Sequence, residues 1–527
     1  MDGTQNTQRT AEVSPWVIAF TVMLATFMEV LDTSVANVSL PHIAGSLSAG
    51  VDESTWVLTS YLVSNAIVLP LTGWFSSLFG RKQFYMGCVV VFTVSSLLCG
   101  LAPSLPFLVA FRVLQGLGGG GLQPISQAIL RDSFPREKQG MAMAMYGMGV
   151  VVAPTIGPTL GGWITDSFTW RWIFFLNVPI GILSVLLTSL FIADPPYMVR
   201  KGLKEGAKVD FLGIGLLTVG LGSLQIVLDK GQRDDWFGSH FILWLTIIAV
   251  AALIGLVIWE LVTEYPVIDL RLLKDQNFAV STFMIFVLGI VFYGTTVLLP
   301  VMLQTLLGYT ATRSGLVLFP GGLLVLILMP IVGWMLGRSE SRWLVAFGFG
   351  VAAFGLTQLS HFDLEVGQRT PVFDWMVSRA GMAFLWVPIN VMAFYFVPRE
   401  KTNNASGLIN LSRNIGGSVG ISFVTTMLDR RAQFHQNRLI GNLQPGNPAY
   451  QRALHNLMTM LATRGTDAGH AMMQARQMLY LQLQRQSMML SFIDNFKIMS
   501  LFCLFVIPLM LIMKKVQPKQ ETAATAH

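Results

Sequence analysis

Charged residues are scarce in this chain. Only 12% of its 527 residues are charged and 53% are hydrophobic, whereas an average soluble protein carries about 25% charged residues. A soluble chain of this length would divide into several domains, each of which needs a polar surface. The composition excludes such a protein. Apolar runs of about twenty residues, each long enough to cross a bilayer, recur along the chain.

Cysteine and metal-binding motifs are also lacking. Cys88, Cys99 and Cys503 lie inside apolar runs and form no CxxC pair, which argues against a disulfide framework or a zinc site. No two histidines have the spacing of metal ligands, and no G-x-x-x-x-G-K-[ST] run is present. The run 116–121 satisfies G-x-G-x-x-G, but it lies inside an apolar helix without a preceding strand, so the match is spurious. We therefore expect neither a metal, nor a cofactor, nor ATP hydrolysis.

The apolar runs predict fourteen membrane spans. The first contains Glu29 and Asp32 and is too long for the apolar region of a signal peptide, so we interpret it as a helix of the mature protein. The predicted spans are 14–38, 54–77, 84–101, 106–130, 140–163, 171–194, 210–229, 240–263, 278–300, 313–337, 343–360, 376–397, 404–428 and 493–514.

Lysine and arginine predict the orientation. Nineteen lie in the two tails and in the loops after even-numbered spans, and six at most lie in the short loops opposite. Those six are Arg171, Lys230, Arg233, Arg313, Arg369 and Arg379. By the positive-inside rule both termini are cytoplasmic, as an even number of spans also requires.

Residues 429–492 form a long segment on the outer side. The segment carries seven arginines, but loops this long translocate largely regardless of charge. Its apolar residues recur at helical spacing over 449–463 and 468–490, which predicts a helical hairpin. The hairpin is either a docking surface or a cap that lies on the membrane.

Two segments indicate an internal repeat. The second span ends with Pro70-Leu-Thr-Gly73-Trp74, and the tenth ends with the same pattern at 330–334; each is followed by Gly-Arg. Both copies lie at the cytoplasmic end of an even-numbered span, so the two halves are parallel. Coincidence in a glycine-rich chain is the alternative. Parallel repeats surround the substrate site in major facilitator transporters.

Six motifs resemble the major facilitator superfamily, and specifically its fourteen-helix drug:proton antiporters of the EmrB/QacA type. They extend over nearly the whole chain, and together they are far more specific than any one of them. The motifs are LDTSVANVSLP (31–41), GWFSSLFGRK (73–82), RVLQG (112–116), APTIGPTLGG (153–162), WRWIFFLNVP (170–179) and RNIGG (413–417). Ser77 stands where the family has Asp, and Glu29 is not part of the first motif.

The resemblance implies an all-α major facilitator fold, with two six-helix bundles plus two extra helices. The long outer hairpin resembles pumps that work with a periplasmic adaptor protein and an outer-membrane channel, which implies a multi-pass protein of the bacterial inner membrane. The domains expected on this basis are an N-terminal tail (1–13), a first bundle (14–194), a cytoplasmic loop (195–209), two inserted helices (210–263), a linker (264–277), a second bundle (278–514) that includes the hairpin 429–492, and a C-terminal tail (515–527).

Glu29, Asp32 and Arg112 are the candidates for proton coupling. Glu29 and Asp32 share a helical face, and ionisable groups inside a span usually face a cavity or a partner. Arg112 stays charged and needs a compensating group. We expect Asp32, with or without Glu29, to bind the proton and Arg112 to lower its proton affinity. Each residue also has a purely structural alternative. Glu29 could be a structural group that its neighbours cap, Asp32 could lie at a hydrated helix end, and Arg112 could form a static salt bridge between packed helices.

Two further sets of residues are expected to take part in transport. In the family, the conformational motifs include Gly73, Gly80, Arg81, Pro154, Gly157, Pro158, Gly161, Gly162 and Arg413. The glycines and prolines of the fifth span serve either close packing or a hinge. The polar and aromatic residues that are candidates to line a substrate cavity are Asn37, Trp56, Gln115, Gln123, Tyr146, Tyr293, Gln304, Trp386, Asn390 and Asn410.

These observations predict a secondary transporter that exports hydrophobic or amphipathic compounds in exchange for protons. An exporter of one metabolite, fatty acid or siderophore on the same fold fits the residues equally well. A membrane-embedded enzyme would need a catalytic cluster, and the sequence has none. A sensor or scaffold without transport activity would typically add a soluble domain.

Overall fold

The described part of the chain is built from helices. A computed structural model describes residues 14–135, 138–195, 210–264, 266–336, 338–367, 369–464 and 467–515, and no strand occurs within these ranges. The predicted tail 1–13 lies outside them. So do all but one residue of the predicted loop 195–209 and all but one of the predicted tail 515–527.

Eight helices form the N-terminal group. Apolar side chains dominate them, and prolines inside four of the long helices are tolerated because neighbouring helices in a membrane protein satisfy the freed backbone groups. The sixth predicted span consists of α7 and α8. The helices are α1 (Pro15–Ser46), α2 (Val51–Ser54), α3 (Trp56–Phe79), α4 (Arg81–Leu101), α5 (Leu105–Ser133), α6 (Gln139–Ser167), α7 (Trp172–Phe175) and α8 (Asn177–Phe191).

Two inserted helices follow, α9 (Phe211–Lys230) and α10 (His240–Val262). Asp210 caps α9 by accepting a hydrogen bond from the Gly213 backbone N–H at 2.8 Å, and it also accepts one from Trp259 Nε1 of α10 at 2.9 Å. A carboxylate at a helix N-terminus stabilises it. Here one carboxylate both caps α9 and joins it to α10.

Seven helices form the C-terminal group. They are α11 (Gln276–Thr305), α12 (Ala311–Met335), α13 (Ser341–Leu359), α14 (Arg369–Phe394), α15 (Thr402–Leu439), α16 (Pro448–Thr463) and α17 (Ala468–Val506). Within the described residues, 13 helices are long and apolar enough to cross a membrane. The long helix absent from that set is α15, which is too polar by composition but packs among α3, α11 and α17. With α15 included, the fourteen predicted spans are all present as helices.

The outer hairpin differs from its predicted bounds. The predicted hairpin helix 468–490 and the predicted span 493–514 form the single helix α17, because no glycine or proline lies between Gly469 and the end of that helix. α15 likewise continues outward to Leu439. The hairpin has its own small apolar core, in which Leu454 and Leu461 of α16 pack on Ala475 of α17.

The two groups contact each other most extensively where α6 packs on α12 and α3 packs on α15, and less extensively between α6 and α14 and between α5 and α15. The inserted helix α9 packs on α3, and its Gln225 exchanges hydrogen bonds with Ser418 of α15 at 2.8 and 3.0 Å. α9 therefore spans the boundary between the two groups. We call the molecular face that carries Arg81, Arg131 and Arg399 the basic face, and the opposite one the outer face.

Candidate functional site

Asp32 and Arg112 form a buried ion pair inside the N-terminal group. Arg112 Nη1 lies 2.5 Å from Asp32 Oδ2, and both side chains are excluded from solvent. Arg112 Nε also donates to the Val57 backbone carbonyl at 2.9 Å. Gln115 Nε2 and Asn177 Nδ2 donate to Asp32 Oδ1 at 3.1 and 2.6 Å. Three side chains therefore stabilise the charged form of this carboxylate.

Glu29 joins a different cluster, one helical turn away. Its carboxylate accepts hydrogen bonds from Tyr61 Oη at 3.1 Å, from Asn65 Nδ2 at 3.2 Å and from Gln123 Nε2. The carbonyl oxygen of the same Gln123 accepts from Arg413 Nη2 of α15. One amide side chain thus lies between a carboxylate of the N-terminal group and a guanidinium of the C-terminal group.

Tyr61 connects the two carboxylates. Its hydroxyl donates to Glu29, while its ring lies 4.2 Å from the guanidinium carbon of Arg112. The expectation that Glu29 and Asp32 share one face holds along the helix, but the structure separates their side chains into two clusters. A change at Asp32 can reach Glu29 through Arg112 and Tyr61.

Aromatic side chains surround Arg413. Its guanidinium carbon lies 5.1 Å from the Trp386 ring, and Tyr146 Oη donates to Gln123 Oε1 at 3.4 Å. Tyr293 packs on the same stretch of α15, since a Cβ at Gly417 would lie 2.7 Å from Tyr293 Cδ2. Four of the predicted cavity residues, namely Gln123, Tyr146, Tyr293 and Trp386, therefore meet around one arginine.

Gln127 is the centre of a second connection between the two groups. Its carbonyl oxygen accepts from Ser406 Oγ and Asn410 Nδ2, both at 2.8 Å, and its amide donates to Asn390 Oδ1 at 3.4 Å. Asn390 and Asn410 were predicted to line a cavity, and here they bind an amide from the opposite group. Gln115, another predicted cavity residue, belongs to the Asp32 cluster instead.

The remaining predicted cavity residues lie towards the outer face. Asn37 and Gln304 are exposed near the outer ends of α1 and α11, and Trp56 is half-buried at the start of α3. The ammonium nitrogen of Lys230 lies 4.8 Å from the Trp56 ring. Asn37 and Gln304 lie in the outer parts of their helices and make no hydrogen bond to the residues of the three clusters described above, whereas Trp56 directly precedes Val57, whose carbonyl accepts from Arg112.

The two groups are closed against each other at the basic face. Arg131 of α5 donates to Thr402 Oγ1 at 2.7 Å and to the backbone carbonyls of Phe394 and Val397 at 2.7 and 2.5 Å. These three acceptors are uncharged and all belong to the opposite group.

The glycines of the internal repeat lie in the same closure. A Cβ at Gly73 would overlap the side chain of Asn404, and one at Gly333 would lie 3.0 Å from the Gly140 carbonyl oxygen. Each copy of the repeat thus provides a glycine where its helix meets the other group. Side chains larger than hydrogen would hold the helices apart at these points.

Arg81 finds a carboxylate despite the departure at Ser77. It pairs with Asp132 near the end of α5 and also donates to the Ala128 carbonyl at 3.3 Å. Gly80, between α3 and α4, has a φ of 84°, which disfavours any residue with a side chain. Ser77 itself donates to the Trp74 carbonyl at 2.7 Å.

The fifth-span motif packs α6 on α1 within the N-terminal group. Ser34 Oγ donates to the Pro154 carbonyl at 3.3 Å, and a Cβ at Gly157 would lie 2.3 Å from that hydroxyl oxygen. A Cβ at Gly161 would lie 3.1 Å from the Val35 carbonyl oxygen, whereas Gly162 faces open space. Pro158 lies between these glycines inside α6. The motif glycines Gly157 and Gly161 contact α1 and not the C-terminal group.

Several polar residues of the site were not predicted. Asn65 and Gln127 carry no distinguishing sequence signal, since isolated amides in spans are common. Asn177 lies within a motif that resembles the family, and that position could have identified it. Arg379 was assigned to an outer loop, but the structure buries it inside α14, so that assignment was wrong. The predicted span 376–397 begins only three residues before Arg379, whereas α14 begins at Arg369. A hydropathy boundary does not locate a helix end well enough to separate a loop arginine from a buried one.

This arrangement can hold and release protons and can transmit the change across the molecule. Two carboxylates are buried in low dielectric, each within hydrogen-bonding distance of amide or phenol donors. When the Glu29 or Asp32 carboxylate loses its charge, the amide and phenol donors around that carboxylate lose the group that orients them. Among the described residues, no group of three His, Cys, Asp or Glu side chains could hold a metal ion.

Comparisons with known proteins agree with this architecture. Residues 22–421 match the family description "Major Facilitator Superfamily". The chain is 38% identical over 455 residues to the multidrug export protein EmrB of Escherichia coli (strain K12), which covers 86% of this chain and 88% of the relative. It is 37% identical over 457 residues to the fatty acid resistance protein FarB of Neisseria gonorrhoeae, with 87% and 88% covered.

A solved structure shares the fold. The proton:xylose symporter XylE superposes with a TM-score of 0.60 at 14% identity, covering 96% of this chain and 97% of that one. At this identity the likeness concerns the fold alone. The family match over residues 22–421 and the 38% identity to EmrB over 86% of this chain identify this protein as a multi-pass membrane transporter of the major facilitator superfamily, related to the EmrB multidrug export proteins.

Proposed function

We propose that this protein exports hydrophobic or amphipathic drug-like compounds in exchange for protons by alternating access. The names of its multidrug export relatives support the cargo class, and the extent of their similarity supports a common transport mechanism. The proposed domain division follows the predicted boundaries, with bundles over 14–194 and 278–514 and two inserted helices over 210–263.

The observation that carries the proposal is the chain of contacts from Glu29 through Gln123 to Arg413. While Glu29 is charged, it keeps the amide N–H of Gln123 pointed at its own carboxylate, so the amide carbonyl of Gln123 faces Arg413. A proton on Glu29 removes that constraint, because the neutral carboxyl no longer requires N–H donors. The contact between the two groups then weakens, so protonation favours a rearrangement between them.

Asp32 is the second proposed proton site. Its charged form is stabilised by Arg112, Gln115 and Asn177, so a proton can bind only when Arg112 withdraws. Protonation of Asp32 and movement of Arg112 are therefore linked, and by thermodynamic reciprocity each favours the other. This link distinguishes a coupling device from a static salt bridge.

The closure at the basic face is the proposed cytoplasmic gate. We propose that both termini lie in the cytoplasm, as the distribution of lysine and arginine predicts, and that the membrane is the inner membrane of a Gram-negative cell, as the resemblance of the outer hairpin implies. Opening the gate would release Arg131 from its three acceptors and separate the repeat glycines Gly73 and Gly333 from their partners. Helix pairs that have two discrete packings are the usual basis of such gates.

The hairpin at the outer face is the proposed docking site for a periplasmic adaptor protein that leads to an outer-membrane channel. Met473 and Leu481 of α17 are 65% and 49% exposed beyond the apolar spans, as expected for a protein-binding surface. The alternative is a cap that lies on the membrane. Adaptor binding that survives deletion of 440–485 would refute the docking role.

The direct test is dye efflux in inverted vesicles under an imposed pH gradient. The wild type should transport, and Asp32→Asn and Glu29→Gln should lose gradient-driven transport. Asp166→Asn, a change of the same type at an exposed position, is the control and should transport normally. If both carboxylate variants keep normal gradient-driven transport, the proposed coupling is wrong. If the folded wild type moves no dye, a dedicated exporter, for example of fatty acids as the name of FarB indicates for that relative, replaces the multidrug proposal.

A further inference from the structure

Arg379 is a buried arginine that the proposed coupling mechanism does not use. It lies on α14 and is 2% exposed. Its guanidinium is enclosed by two aromatic faces, with the guanidinium carbon 3.8 Å from the Trp375 ring and 4.6 Å from the Phe292 ring. Arginine keeps its charge under physiological conditions, so this corner of the C-terminal group holds a full positive charge.

The guanidinium is only partly satisfied. Nη2 donates to Thr295 Oγ1 at 3.2 Å and to Thr296 Oγ1 at 2.9 Å. Both hydroxyls donate their own protons to backbone carbonyls, so towards Arg379 they are acceptors. Nε and Nη1 have no hydrogen-bond partner. None of the ion pairs among the described residues includes Arg379.

Arg413, at the centre of the other cluster, has the Gln123 carbonyl oxygen as an acceptor, and Glu29 lies on the far side of that amide. Three further buried arginines have more extensive compensation. Arg112 and Arg81 each face an aspartate, and Arg131 has three oxygen acceptors from the opposite group. A buried charge without a compensating group is strongly unfavourable. Among the described residues, no acidic group compensates the buried charge of Arg379, and an anion bound from outside the chain would do so.

Besides Nε and Nη1 of Arg379, a third nitrogen donor in the same corner has no acceptor. Trp375 Nε1 is buried and has no hydrogen-bond partner. A Cβ at Gly321 of α12 would lie 2.7 Å from Trp375 Cδ1, 2.9 Å from its Nε1 and 3.2 Å from Arg379 Cγ. The glycine thus allows these two side chains to lie against α12.

The corner adjoins the cluster around Arg413. Phe292, which stacks on Arg379, has its ring centroid 5.2 Å from that of Tyr293. A Cβ at Gly417 of α15, four residues after Arg413, would lie 2.7 Å from Tyr293 Cδ2. Aromatic side chains therefore lead from Arg379 towards Arg413, and they suit the apolar part of a molecule whose charged group reaches Arg379.

We propose that Arg379, with the N–H of Trp375, binds the anionic group of amphipathic organic anions such as long-chain carboxylates or sulfonates. The inference rests on the proposed export function and specifies one class of its cargo. The bound anion completes the hydrogen bonding of Nε and Nη1, and its apolar part lies on the aromatic walls. A cation held by the two aromatic faces alone is the competing explanation.

The test measures binding to the purified full chain in nanodiscs without any gradient. The probes are 11-(dansylamino)undecanoic acid, its methyl ester, and tetraphenylphosphonium as a cation. Arg379→Gln should weaken binding of the acid at least tenfold, as expected for loss of a charge-assisted hydrogen bond, and leave the ester and the cation within about twofold. Arg342→Gln, which removes an arginine near the basic face that pairs with Glu340, is the control and should bind all three probes normally.

Two milder variants keep the test decisive if Arg379→Gln does not fold. Arg379→Lys should retain part of the acid affinity, and Trp375→Phe, which keeps a ring but removes the N–H, should weaken binding of the acid by about threefold. Equal losses for acid and ester, or unchanged acid binding in the folded variants, would overturn the proposal. Acid-selective binding in a protein that shows no gradient-driven transport would refute the proposed function and leave this site intact.

Discussion

Removing the charge of Asp32 should destabilise the protein through Arg112. The pair is fully buried and its closest atoms are 2.5 Å apart. In Asp32→Asn the new amide nitrogen can take the position of the oxygen that faces Arg112, which sets donor against donor. Breaking a buried pair at one partner costs about 3–5 kcal/mol, a factor of more than a hundred in the unfolding equilibrium.

Arg112→Gln should cost less, about 2 kcal/mol, because Asp32 would keep its charge-assisted hydrogen bonds from Gln115 and Asn177. In the double variant two neutral amide side chains face each other and can pair. We expect it to be more stable than Asp32→Asn alone, with a coupling energy of about 2–3 kcal/mol.

The assay is SDS-driven unfolding in mixed micelles, followed by the fluorescence of the 13 tryptophans. Asp166→Asn is the matched control, since Asp166 lies 3.8 Å from His42 and both side chains are at least half exposed; it should change the unfolding free energy by less than about 1 kcal/mol. The reasoning fails if Asp32→Asn costs no more than this control, or if the losses of the two single variants simply add in the double variant.

Three further outcomes are expected. Gly140→Val should push α6 away from Gly333 and open the basic face. A cysteine introduced at this face should then react faster with a membrane-impermeant maleimide added from the cytoplasmic side. Unchanged labelling would show that this contact does not close the gate. Arg81→Gln should remove the ion pair between buried Arg81 and half-buried Asp132 and cost about 2 kcal/mol in the same SDS unfolding assay, with near-wild-type stability as the contrary result. Ala475→Asp should disrupt the apolar core of the hairpin and make the hairpin sensitive to protease. Gradient-driven transport in vesicles should stay within about twofold of wild type. Loss of transport together with protease sensitivity would mean that the hairpin supports the membrane spans.

The spans and the family were accessible from sequence because both depend on local signals. Apolar runs are long enough to cross a bilayer whatever their neighbours are, and the prediction of the fold was confirmed by the family match. The span 404–428 was predicted although α15 is more polar than the other spans. Arg413 and Asn410 on this helix contact Gln123 and Gln127 of the other group. Its polar face is hidden by partners that no local window includes.

The candidate site was accessible only in part. Glu29, Asp32 and Arg112 stand out because a charge inside an apolar run is costly wherever it lies. The same argument applies to Arg379, but its position near the start of a span concealed it. Amides such as Gln127 cost much less to bury and occur throughout such proteins, so nothing local marks the ones that connect the two groups.

The sequence by itself determined that the chain crosses a membrane many times, which family it resembles and which ionisable groups enter the apolar region. These are properties of composition and of short motifs. Only the tertiary structure decided that Glu29 and Asp32 belong to separate clusters joined by Tyr61, that Arg413 reaches Gln123 of the opposite group, and that Arg379 has no acidic partner among the residues that the structure describes. Hydrogen bonds and ion pairs act over about 3 Å, and residues far apart in the chain come within that distance only when the helices pack.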